Sequence, residues 1–132
     1  MRKLIYSLGI IVVLSFSIAV FCFAYTPWVA PSVVDTLVNP LKGNETATAE
    51  GKKTYTAMCV MCHGEKGKGD GVAGLALTPR PANYTLPKVQ AESDGSLFWK
   101  MTTGRAPMAS YKALLTETQR WQLVNYLRTF KK

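Results

Sequence analysis

Five consecutive residues, Cys59-Val60-Met61-Cys62-His63, hold the most specific chemistry in this chain. The two thiols stand about one helical turn apart, and an imidazole follows directly. That is the C-x-x-C-H spacing of c-type haem attachment. Each thiol can add to one of the porphyrin's two vinyl groups, which carries His63 under the iron as the proximal nitrogen ligand. A zinc site would need two further Cys or His ligands, but His63 is the only histidine and the third cysteine, Cys22, lies in an apolar N-terminal run. A thioredoxin-type redox pair would want a βαβ context, and none is legible. The expected cofactor is one covalently bound haem c.

Iron held this way calls for a second axial ligand. Without another histidine, a thioether is the natural donor; it favours Fe(II) and raises the potential into the electron-carrier range. Met1 opens the N-terminal segment, and Met58 and Met61 are too near the cysteines to reach the opposite face of a porphyrin. Met101 stands at helical spacing from Leu97 and Phe98, which assigns it to core packing. Met108 follows Pro107 in the irregular stretch Gly104-Arg105-Ala106-Pro107, 45 positions after His63, enough chain to wrap a ring and return on its far side. Met108 is therefore the expected distal ligand. Iron bound by His63 and Met108 has no open position, so electron transfer is expected rather than enzymatic turnover. Arg105 beside it is a candidate contact for a haem propionate, with a solvated arginine as the equal alternative.

These residues need elements to hold them. A helix is expected from near Thr48 toward Cys62, because Gly51, Tyr55 and Met58 or Cys59 recur at three-to-four spacing. From Gly64 to Thr85, glycines 64, 67, 69, 71 and 74 with Pro79 and Pro81 make a loop, read as tight backbone passing near the haem edge. Within it, Gly69 to Gly74 satisfies G-x-G-x-x-G, yet no strand precedes it and no helix follows, so it is no dinucleotide fingerprint. A helix over Asp94 to Thr103 has Ser93 or Asp94 as its N-cap and Gly104 just beyond its end. In the last helix, Thr116 and Gln119 have capping-box spacing, and Leu123, Val124, Leu127 and Phe130 follow at helical period. Nothing alternates long enough for a sheet, so the fold class is all-α. Tyr84, Leu97, Phe98, Trp99, Tyr111 and Leu115 are pocket candidates that serve equally as core.

At the N-terminus, Arg2 and Lys3 precede an uncharged run from Leu4 to Ala24, and no further positive charge appears before Lys42. The positive-inside rule puts the start of the chain in the cytoplasm and the rest on the periplasmic side of a bacterial inner membrane. The run approaches the length of a spanning helix, and Tyr25 and Trp28 suit the outer interface. Length favours an uncleaved anchor; the small residues around Ala24 leave a signal peptide cleaved there as the alternative. Cys22 is a small apolar residue of that run rather than a lipidation site. Residues 25–47, with Pro27, Pro31 and Pro40, read as an extended tether, and 48–132 as the haem domain.

From Lys42 onward 14 Lys/Arg stand against 7 Asp/Glu. No helix carries a dense basic stripe and no basic and aromatic residues interleave, which excludes nucleic acid as a partner. The excess instead suits acidic redox partners, with Lys66, Lys68 and Lys112 as candidates for a docking rim.

Taken together, Gly51, Tyr55, Cys59, Cys62-His63-Gly64, Gly69-Asp70-Gly71, Asp94-Gly95, Gly104-Arg105, Met108 and the run Trp121 to Arg128 resemble a class I c-type cytochrome over Ala49 to Phe130. The resemblance implies three to four helices wrapped around one haem and His63/Met108 ligation. It also implies that Gly51 is the small residue where the first helix crosses the last, with Tyr126 the aromatic packed there. The family's Gly-Pro-x-Leu after the histidine has no obvious counterpart; Pro79 or Pro81 would supply the carbonyl that accepts from His63 Nδ1. The implied role is an electron carrier of a respiratory chain, working with an oxidase, a reductase or a quinol-oxidising complex. Two alternatives are a fixed electron-transfer subunit of a membrane complex and a haem-based ligand sensor.

Overall fold

The computed structural model describes residues 26–132, so the expected N-terminal hydrophobic helix lies outside the described residues. Among them every regular element is helical. The first long helix, α1, spans Glu45–Met58 and is followed after Cys59 by the single turn α2, Val60–His63. Next come α3, Pro87–Gln90, then α4, Asp94–Thr103, and α5, Glu117–Arg128. The all-α expectation holds; the only β-type pairing among the described residues is an isolated bridge between Arg105 and Met108.

The ends of α4 and α5 follow from their caps. Ser93 accepts a hydrogen bond from Ser96 N, and Gly104 closes α4 at φ +67°. At α5, Thr116 and Gln119 form the reciprocal capping box. The first helix differs from its expected start at Thr48: Asn44 is the N-cap, accepting from Ala47 N. It is also not continuous to Cys62, because Cys59, at φ −113°, separates α1 from α2.

The core forms where α1 crosses α5. A side chain at Gly51 would overlap the Gln122 carbonyl, so the two backbones approach as only glycine permits. One turn along, Tyr55 packs on Tyr126 at 5.2 Å and on Phe130 at 5.4 Å between ring centroids. Tyr84, Val89, Leu97, Met101, Leu115, Trp121, Leu123, Val124 and Leu127 complete the buried cluster.

The extended tether expected over 25–47 is corrected by long-range polar contacts. Ser32–Thr36 forms a short 3-10 helix, and Val34 and Asn39 are buried. The Val34 carbonyl seats against Gly95, where any side chain would collide with it. Asp35 accepts from the hydroxyls of Ser93 and Ser96, and Asn39 donates to Asn125 Oδ1 at 2.8 Å. Residues 26–44 thus form a strap laid across α4 and α5.

Candidate functional site

His63, at the end of α2, is buried. Its Nδ1 lies 3.2 Å from the Ala82 carbonyl oxygen. A carbonyl only accepts, so Nδ1 carries the proton and Nε2 presents its lone pair inward. The partner is neither Pro79 nor Pro81. The Pro81 carbonyl packs against Gly69, and it is the following carbonyl, that of Ala82, that reaches the ring. Pro81-Ala82-Asn83-Tyr84 therefore stands in the place of Gly-Pro-x-Leu, with Ala82 at the proline position.

The glycine-rich loop packs on α2. Its amides satisfy the carbonyls that a four-residue helix leaves open: Ala73 N donates to Met61 O at 2.9 Å, Gly71 N to Cys62 O at 3.2 Å and Gly69 N to His63 O at 2.8 Å. A Cβ at Gly71 or Gly74 would strike those same carbonyls, which explains the run of small residues. Tyr55 adds a hydroxyl bond to Gly64 O at 2.7 Å. The attachment motif is held from both sides.

Met108 reaches the same place along another path. After α4 the chain loops back, Ser110 Oγ donating to Thr102 O at 2.7 Å and Tyr111 N to Met101 O at 3.1 Å. Arg120, buried at the start of α5, donates to Lys112 O and Leu115 O and so fixes the far side of this loop. Cys59, His63, Met108, Met101, Tyr55, Tyr84, Tyr111, Leu123 and Leu127 then line one cavity. Burial and the neighbouring Cys62 push the Cys59 thiol up to about 12, so its sulfur stays neutral among apolar walls.

Three expected residues sit elsewhere. Arg105 is exposed and commits its guanidinium to Thr26 O at 3.0 Å and to the face of Trp28; it is absent from the cavity lining. Trp99 belongs neither to the lining nor to the buried core, and Phe98 stacks on Trp121 at 4.0 Å instead. Sequence reasoning also undervalued Tyr84. Its ring stacks on His63 at 4.7 Å and its hydroxyl donates to Nε2 at 3.3 Å.

By donor set the site fits a covalently bound haem: two thiols flanking one turn, an imidazole with Nε2 free of a proton, and a thioether in the same cavity.

Residues 46–127 match the family described as cytochrome C oxidase, cbb3-type, subunit III. No curated protein matches the chain. Among solved structures, a chain of the Kuenenia stuttgartiensis reducing HAO-like protein complex is similar at 29% identity with a TM-score of 0.63. The likeness covers 83% of this chain and 53% of that one, so this chain spans about half of its neighbour's length.

Proposed function

The chain belongs to the cytochrome c oxidase cbb3-type subunit III family, a class I c-type cytochrome that transfers electrons on covalently bound haem c; from that premise we propose that Cys59 and Cys62 hold the haem, with the iron between His63 and Met108. We place the site on the periplasmic side of an inner membrane, passing single electrons to acidic redox partners of a respiratory chain. The observation that carries the ligand assignment is the convergence of Cys59, His63 and Met108 on one cavity, with Nδ1 of His63 tied to Ala82.

When bound, the haem supplies reversible one-electron chemistry between Fe(III) and Fe(II). The protein's residues orient and exclude. The Ala82 carbonyl fixes the imidazole plane and increases the basicity of Nε2. The loop from Gly104 to Leu115, held at Thr102, Met101 and Arg120, presents a soft sulfur that suits Fe(II). Tyr55, Leu123 and Leu127, buried in the cavity lining, would keep water away from a haem held there.

The optical spectrum tests this directly. A pyridine haemochrome should report one haem c, and the ferric protein should show the weak red charge-transfer band of a thioether ligand. Met108→Ala should abolish that band and Met101→Ala should keep it; the reverse pattern assigns the sulfur to Met101. The ferrous protein should not bind carbon monoxide, and ready binding would favour the ligand-sensor reading. A second reading, a fixed subunit of a membrane complex, is favoured by the similar chain's place in a protein complex. Release of the intact protein without partners after detergent-free lysis would oppose it.

A further inference from the structure

The strap carries an apolar surface that neither the core nor the haem site uses. Where Val34 and Asn39 are buried, Val29, Val33 and Val38 are 76%, 70% and 83% exposed. Three exposed valines on a strap of this length are far from the usual scattering of single surface apolar residues. They are also the residues that follow most closely on the apolar run Leu4 to Ala24.

We infer that this valine face seats the haem domain directly on a phospholipid bilayer, fixing its orientation there; the inference rests on the reading that residues 4–24 remain as a membrane anchor. Three observations choose lipid as the occupant. First, the chain is already pinned to the domain at Thr26, whose carbonyl accepts from Arg105, so Tyr25 alone separates the pinned strap from the apolar run. So short a join keeps the strap within a few residues of the apolar run. Second, the strap carries little charge: Asp35 is its single ionisable residue before Lys42, exposed but accepting from the hydroxyls of Ser93 and Ser96. Third, Trp28 is half-buried with the exposed Arg105 guanidinium 5.3 Å from its ring centre; Lys100, at 5.8 Å on the ring, is neutralised by Glu92. A tryptophan beside an exposed arginine matches the headgroup level, where amphipathic rings and lipid phosphates meet. Among the remaining exposed apolar residues, Val72 and Leu75 beside the glycine loop have no such link to the run and serve as the internal control.

The experiment uses the full-length haem-loaded protein, one chain per nanodisc of phosphatidylethanolamine and phosphatidylglycerol. Single cysteines replace Val29, Val33 or Val38, or the controls Val72 or Leu75, in a Cys22→Ser background, and each is reacted with a water-soluble maleimide. An unchanged haem spectrum establishes that each variant is folded. Exclusion from water should slow the three strap positions by roughly tenfold or more relative to the controls, one decade being a modest partition preference. Intact mass separately reports whether residues 4–24 are retained. If they are retained and the strap cysteines react as fast as the controls, the docking inference is overturned and the anchor reading stands. If they have been removed, the anchor reading falls and the inference with it.

Discussion

At the residue scale, Tyr55 joins two jobs that usually belong to different side chains. Its ring fills the core between Tyr126 and Phe130, while its buried hydroxyl donates to Gly64 O just beyond His63. Removing only the hydroxyl takes away one of the two donors on the Gly64 carbonyl, Gly67 N remaining at 3.1 Å, so Tyr55→Phe should lower stability by about 0.5–1.5 kcal/mol, read as a shift of the denaturant midpoint. The cavity's two sulfurs differ in another way. Met101 is buried on α4 and Met108 is half-buried on the returning loop, so Met101→Ala should cost about 2–5 kcal/mol of stability, as large-to-small core changes do, while Met108→Ala should register chiefly in the spectrum. The attachment residues were legible because covalent chemistry demands a fixed local spacing. Ala82 was not: it contributes a main-chain carbonyl, which no side chain advertises.

At the element scale the crossing of α1 and α5 is limited by one atom. A methyl group at Gly51 would collide with the Gln122 carbonyl, and backbone cannot turn aside as a flexible side chain does. Gly51→Ala should therefore destabilise the protein by about 1–3 kcal/mol or more, measured by thermal or denaturant unfolding. The strap offers a pH test. Hydrogen bonds from Ser93 and Ser96 hold the Asp35 carboxyl below its ordinary value of 3.8. A lowered carboxylate contributes stability that is complete above the unfolded value and is lost as pH falls through the folded one. Amide exchange over residues 31–39 should therefore quicken only below about pH 4, and Asp35→Asn should remove that acid step. Helices α4 and α5 were legible because their caps are local signals. The start of α1 was hidden in a polar run ending at Asn44, and α3, at four residues, is too short to establish a period. The strap's attachment depends on Asn39 meeting Asn125, a contact with no trace in local sequence.

At the scale of the whole molecule, the formal net charge of +8 is not evenly useful. Lys66 and Lys68 are exposed on the groove beside α2, though Glu65 and Asp70 share it, and Lys112 is exposed on the loop beyond Met108. Steering by such a rim should weaken as salt shortens the Debye length to about 10 Å at 0.1 M. Electron transfer with an acidic partner should thus slow as ionic strength rises, measured by stopped-flow; a flat response would remove the steering role. The crossing at Gly51 and Gln122 has one more consequence, in time rather than in space. Its two halves stand at opposite ends of the domain's sequence, so the closing contact cannot form until almost the whole domain has emerged. Until then Cys59, Cys62 and His63 stay on an open chain. The order in which this chain is made thus leaves an interval in which the cofactor can be attached before the fold shuts around it.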